Sequence, residues 1–381
     1  MKILLLLIAS LLLSAGIVVH AQELEYVGSY NTTFSQWIHA ENELACVLDS
    51  SNLLILNISV PANSNLMGSI VLPGNPVRFD IQGGVAFVAC GDSGMQVVDI
   101  SCPSVPAIIG RFMTTQPARY VIVRDSLCYL LDDRRLSILN VVSPADPFEI
   151  GFFDFGFNKK DGLELKDSLA YVIADYGEFE ILSSIDISDP SDPRWVSYVL
   201  DDWFCTELYV FNEKLFVVNE WRGFIREYDI SSPGTIIEVA LTEVPGITDV
   251  MAGSGYLFGS SGHGGLGIYD ISNPDTCIEV GIYNTPGSAR GLFVSGSYVY
   301  VADSSSMQVL RFTPYICGDA NDDGNINILD VSHIISYLYR GGPAPIPAER
   351  ADVDHTGGIN ILDVAYLIDY LYFGGPAPTC P

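Results

Sequence analysis

From residue 24 to residue 312, apolar and polar positions alternate in short runs closed by Asp, Asn, Ser, Gly or Pro. Period-two alternation of this kind predicts half-buried β-strands joined by tight turns. Three kinds of run recur. One ends in an acidic or Asn turn: Leu54–Ser59, Val97–Ser101, Ile138–Ser143, Ser184–Ser188, Glu227–Ser231, Ile268–Ser272 and a degenerate Gln308–Phe312. A second, rich in Tyr, Val and Ala, lies at 44–49, 85–90, 127–132, 169–174, 215–220, 256–261 and 298–303. A third, of Val-Gly-Ser-Tyr type, lies at 27–30, 67–70, 109–112, 150–153, 196–199, 239–242 and 280–283. Successive copies stand 40 to 46 residues apart. That spacing, filled with strand pattern, is the length of one four-stranded propeller blade, so seven copies predict a seven-bladed β-propeller over residues 22–314. The first Val-Gly-Ser-Tyr run precedes all other runs, and the seventh unit has none after it. Glu25–Tyr30 is therefore expected to complete the last blade and close the ring, removing an exposed sheet edge.

Past residue 315 the period changes. Val331, Ile334, Ile335 and Leu338 follow i, i+3, i+4, i+7 spacing, and Val364, Leu367, Ile368 and Leu371 repeat it 33 residues later. Each stripe predicts one helix with a single apolar face, stopped at Gly341-Gly342-Pro343 and at Gly374-Gly375-Pro376.

A twelve-residue loop leads into each helix. The first sets oxygen side chains at Asp319, Asn321, Asp323, Asn327 and Asp330, with Gly324 at its sixth position and Asn325 at its seventh. The second sets them at Asp352, Asp354, Thr356, Asn360 and Asp363, with Gly357 sixth and Gly358 seventh. This is the EF-hand ligand pattern: a hard cation takes six to eight oxygens, the seventh residue gives a backbone carbonyl, and the chain turns sharply at the sixth. Two calcium ions are expected. The second site is expected to be the weaker, because Thr356 stands where the first loop has Asp323. No helix precedes the first loop, so the unit is loop-then-helix. Residues 315–381 thereby resemble the type I dockerin module, which implies calcium-dependent folding and docking onto a cohesin-like protein domain in an extracellular or cell-surface assembly. Positions ten and eleven, often a small polar pair in such modules, are here Ile328-Leu329 and Ile361-Leu362. They form either an apolar docking face or packing between the two units.

The phrase Gly267-Ile268-Tyr269-Asp270-Ile271-Ser272-Asn273-Pro274, echoed at Ser184–Pro190, resembles the LVIVD-repeat family. That resemblance implies a surface or secreted β-propeller and specifies no activity.

Met1–Ala21 combines one Lys with a long Leu/Ile run and a small-residue end, the pattern of a secretory signal peptide. No later run of about twenty apolar residues exists, so no membrane insertion is expected. Cys317 and Cys380 bracket the C-terminal module, where a disulfide is expected. The other six cysteines allow fifteen pairings among themselves, and sequence does not choose. Residues 22–314 carry 37 acids against 15 bases and residues 315–381 carry 9 against 2, which argues against nucleic acid or an anionic membrane as partner.

The recurring Asp99, Asp186, Asp229 and Asp270, with Asn57 and Asn140, read as turn caps demanded by every unit. Residues peculiar to one unit are better candidates for recognition: Asp154–Asp161, Asp175–Glu180, Asp201–Phe204 and Glu220–Arg222, where aromatics stand beside acids. His263-Gly264-Gly265 has no matching nucleophile elbow. Taken together, the chain reads as a non-catalytic binding or display protein whose propeller binds a protein or a polysaccharide or surface glycan. The alternative is a dockerin-bearing carbohydrate-active enzyme, a glycoside hydrolase or polysaccharide lyase with its active site in the propeller.

Overall fold

The computed structural model describes residues 23–156, 160–175, 180–201, 205–253, 255–271, 277–313, 316–345, 348–354 and 356–378. The proposed signal segment lies outside them. The chain divides into two compact units, Glu25–Arg311 and Phe312–Pro381 together with Met1–Leu24.

The first unit is all-β. Five four-stranded sheets follow one another, and a seven-stranded sheet joins the two ends of the unit. That larger sheet exists because its strand β1, Glu23–Glu41, is long enough to serve twice. Its second half pairs with Leu44–Asp49 in register Trp37 to Leu48 through Glu41 to Leu44. Elsewhere it lies beside the last strand, Ser304–Thr313, as the missing-copy argument expects. Thr32 Oγ1 donates to the Ser304 carbonyl (2.9 Å), Ser35 Oγ donates to the carbonyls of Ser304 and Ser306, and Arg311 pairs with Glu25. Between the two halves, buried Asp49 accepts hydrogen bonds from the Thr33 and Phe34 backbone N–H groups.

The sheets pack side by side around a central axis. Their innermost strands are the second half of β1, Arg78–Gln82, Ala118–Arg124, Lys160–Lys166, Glu207–Phe211, Asp249–Gly253 and Gly291–Ser295, each in contact with the next from Arg78–Gln82 onward. The ring closes where the His39 and Phe293 rings meet at 4.3 Å. One apolar residue per inner strand, Ile38, Phe79, Val121, Leu163, Leu208, Val250 and Leu292, is at most 5% exposed. These residues help fill the wedges between sheets. Phe79, for example, joins a cluster with Cys46, Leu48, Val88 and Cys90. Burying each such side chain stabilises the unit by about 1.5–3 kcal/mol, so the ring is held by many inter-sheet contacts and not by one central core.

Two repeated sequence features explain each other. The glycine of the outermost strand packs directly under the Pro turn of the neighbouring sheet. A Cβ on Gly68 would lie 2.3 Å from the Pro103 carbonyl, and one on Gly110 would lie 2.5 Å from the Pro144 carbonyl. The turns are fixed as the caps predict: Oδ1 of Asn57, Asp99, Asn140, Asp186 and Asp229 each accepts from the backbone N–H two residues on, at 2.8–3.1 Å. These residues build the repeat. Cys46, Cys90, Cys102, Cys128, Cys205 and Cys277 are not joined by disulfides, so none of the fifteen pairings forms.

The C-terminal unit carries two helices, Ile328–Arg340 and Ile361–Phe373, with matching ends. Asn327 and Asn360 cap them, and Asp330 and Asp363 close the capping boxes by accepting from the N-cap backbone N–H at 2.7 and 2.8 Å. Gly341 and Gly374 end them in left-handed conformation, at φ 70 and 77°. Val331, Ile334, Val364 and Leu367 are buried in one cluster, with Ile335, Leu338, Ile368 and Leu371 packed against it, so both predicted stripes face a shared core.

Candidate functional site

In the C-terminal unit the loop side chains fold inward before each helix begins. Asp319 accepts from the backbone N–H groups of Asp323 (3.0 Å) and Gly324 (2.9 Å), and Asp352 does the same with Thr356 and Gly357. Asp330 and Asp363 span the loops, taking the N–H of Asn321 and of Asp354, both at 3.1 Å. Thr356 turns its hydroxyl to Asp354 at 2.7 Å, while Asn321 donates its side-chain amide to Asp323 at 3.0 Å. Asp319, Asp330, Asp352 and Asp363 are all buried. Burial, followed by repulsion from neighbouring carboxylates, holds Asp330 and Asp363 above the usual carboxylate range. Ligand atoms of Asp352, Asp354 and Asp363 lie within 4.8 Å of one another, the single such grouping of His, Cys, Asp or Glu among the described residues. Closely gathered buried carboxylates repel, and an all-oxygen set of this kind suits a hard divalent cation.

Ile328, Leu329, Ile361 and Leu362 stand 46%, 56%, 50% and 57% exposed on the first turns of the helices. They do not pack into the module core. Of the expected disulfide, Cys380 lies outside the described residues.

In the β unit, the unit-specific loops are described only in part. Residues 157–159, 176–179 and 202–204 lie outside the described residues. Phe155 is core, Asp154 pairs with Arg134 at 2.8 Å, buried Glu180 accepts from the Cys205 N–H, and Trp221 stands 85% exposed. Chemistry gathers instead on the axis, in a cavity of about 240 Å³ lined by every innermost strand. Strand alternation explains it: the apolar column points between sheets, so the residues on either side of it turn to the axis. One layer holds Trp37, Arg78, Tyr120, Glu207 and Asp249; the other holds His39, Asp80, Ile122, Glu164, Tyr209, Met251 and Phe293. Sequence reasoning missed this column. Its signal was an apolar residue recurring at 38, 79, 121, 163, 208, 250 and 292 with different neighbours each time.

Arg78 bridges the first layer. Its guanidinium sits 3.6 Å from the centre of Trp37 and 4.8 Å from that of Tyr120, and pairs with Glu207. Tyr120 Oη donates to the Thr206 carbonyl at 3.0 Å. A Cβ on Gly291 would lie 3.2 Å from Trp37 Cε3, so glycine there makes room for the indole. Burial pushes Glu164 up to about 8 and Asp249 up to about 6, and raises Asp80 despite its hydrogen bond from Val123 N–H. Burial lowers His39, whose Nδ1 lies 3.9 Å from Asp80 Oδ1.

Comparisons with known proteins find two matching family models and solved structures of similar fold. The LVIVD repeat model matches residues 36–71, 73–114, 163–201, 247–285 and 286–309, and the Dockerin type I domain model matches 317–372. The chain carries LVIVD repeats in a propeller-like fold, followed by a type I dockerin domain. Among solved structures, the β-propeller domain of Myceliophteria thermophila Cps50 (Swd1) aligns at TM-score 0.60 and 9% identity, covering 76% of this chain and all of that one. The computationally designed Ika8 protein aligns at 0.54 and 10%, covering 77% and 100%, and BamB from Moraxella catarrhalis at 0.51 and 16%, covering 74% and 83%. At these identities the likeness is one of fold alone. No curated protein matches. No helix among the described residues is long and apolar enough to cross a membrane.

Proposed function

We propose that this protein is an exported, non-catalytic recognition protein. A seven-bladed propeller over residues 22–314, its last blade completed by the start of β1, presents a ligand-binding surface. The module over 315–381 docks onto a cohesin-like domain of another exported protein. The observation that carries this reading is the exposure of Ile328, Leu329, Ile361 and Leu362 at equivalent positions of two matching helices. Four large apolar side chains left in solvent have a use at an interface, where a buried apolar centre supplies the affinity. Asp319, Asn321, Asp323, Asn327 and Asp330, with the Asn325 carbonyl, would hold one calcium ion. Asp352, Asp354, Thr356, Asn360 and Asp363, with the Gly358 carbonyl, would hold the second. Bound calcium would neutralise the gathered carboxylates and fix the loops from which the helices start. A Cys317–Cys380 disulfide would tie the ends of this small module together.

The axial carboxylates favour one competing reading, a carbohydrate-active enzyme, since acids with separated pKa values suit acid–base work. The cavity is small for that: about 240 Å³ falls below the range of drug-sized ligand pockets, so it admits a small molecule and not a polymer chain. A screen of the protein on polysaccharides distinguishes the two.

The docking reading is tested by binding to immobilised type I cohesin domains in calcium. The paired changes Ile328→Asp with Leu329→Asp, and Ile361→Asp with Leu362→Asp, are compared with the unaltered chain. Loss of binding with the module still folded supports it. Unchanged binding by both variants, or unfolding of the module by either, contradicts it.

A further inference from the structure

The axial cavity of the propeller is the strongest unassigned feature of the molecule. Four carboxylates, Asp80, Glu164, Glu207 and Asp249, share it with one arginine. Arg78 is already committed to Glu207 and to the two rings that clasp it. Asp249 accepts from the backbone N–H groups of Val250 at 2.9 Å and Leu292 at 3.0 Å, and lies in the field of Arg78. Glu164 has no ion-pair partner among the described residues, and burial dominates its surroundings. The four acids outnumber Arg78 and His39, the two basic side chains of the cavity, and the repeat does not ask for this, because other sheets place Ile122, Met251 or Phe293 at positions equivalent to Glu164.

We propose that this cavity binds a small organic cation, a short aliphatic diamine, with its ammonium groups held by Glu164 and Asp80 in one layer and by Asp249 in the other. This rests on the reading of the propeller as the ligand-binding part of the chain. Three features of the site select the ligand. The sign of the charge demands a cation. These acids stand on three strands and in two layers, an arrangement that suits two separated ammonium groups better than one compact ion. The two layers are separated by a two-residue strand step of roughly 6.5 Å, which a four-carbon diamine reaches across. Tyr209 and Phe293 supply aromatic walls, which attract ammonium groups through their faces. The volume of about 240 Å³ is the share of about eight waters, enough for such a chain and little else. The raised pKa values of Glu164 and Asp249 fit acids that wait for a positive partner.

The test is calorimetric titration of the full chain with 1,4-diaminobutane, 1-butylamine and 1,4-butanediol. Saturable one-to-one binding of the diamine, weaker binding of the monoamine and none of the diol is expected. Glu164→Gln should weaken the diamine at least tenfold, as should Asp249→Asn, with the thermal unfolding of each variant showing that it is folded. No binding of the diamine, equal binding of diamine and diol, or diamine affinity unchanged in both variants overturns the proposal. Cohesin binding, read separately on the C-terminal module, is indifferent to all of these results.

Discussion

Asp49 holds the point at which β1 leaves one sheet for the next, and replacing it by Ala removes both of its anchors. The carboxylate accepts from Thr33 N–H at 3.0 Å and from Phe34 N–H at 2.5 Å, and is only 6% exposed. A hydrogen bond to a charged group contributes about 1.5–3 kcal/mol, and a buried N–H left without a partner costs about 1–3 kcal/mol. Two bonds lost at a partly buried site give an expected destabilisation of about 3–5 kcal/mol. Asp49→Asn keeps one acceptor and should lose about half of that. All four tryptophans lie before residue 222, so their fluorescence reports on the propeller alone. The assay is urea unfolding of the full chain followed by that fluorescence. A lower midpoint at unchanged slope, ordered Ala below Asn below the unaltered protein, is expected. Equal midpoints for all three would show that β1 is not fastened there, and the account of ring closure through one shared strand would fail.

Other outcomes follow from the same geometry. Glu164 has its pKa raised from 4.5 to about 8 by burial, so its contribution to stability is full below about pH 4.5 and is lost as pH rises through 8. The loss is about 2–5 kcal/mol, and Glu164→Gln should flatten this part of the profile between pH 5 and 9 in the same unfolding assay; identical profiles would refute it. Ile38→Ala, at a fully buried inter-sheet position, should cost about 2–5 kcal/mol by urea midpoint, and a loss below 1 kcal/mol would place that column outside the core. Mass spectrometry of non-reduced peptides should find Cys317 linked to Cys380 and the other six as thiols; a link from either to a propeller cysteine would contradict the clasp.

Much of this architecture is legible in the chain because each feature recurs. The second, third and fourth strands of each sheet announce themselves through Tyr-Val runs, Asp-Ile-Ser turns and a glycine, and the structure gives each a packing reason. Gly68 lies under Pro103, and Asp99 caps Ser101. The helices were equally readable, since Val331, Ile334, Ile335 and Leu338, and Val364, Leu367, Ile368 and Leu371 after them, mark one apolar face each, and both faces meet in a shared core. The innermost strands were not. Their fixed content is a single apolar residue such as Val121 or Val250, and its neighbours, which line the axial cavity, vary in charge and size. That variation drew attention instead to loops such as Asp154–Phe155, which proved to be an ion pair and a core ring. Whether Ile328-Leu329 and Ile361-Leu362 faced solvent was also open, because they sit at the junction of loop and helix, where periodicity assigns no face.

The claim on which the account turns is that the C-terminal module docks only when its two loops are filled. Calorimetry of the full chain with a type I cohesin domain, first in calcium and then after excess EGTA, tests it directly. One cohesin per chain in calcium and no binding heat after EGTA is predicted. Equal binding in both conditions, or none in calcium across a panel of type I cohesins, would contradict it.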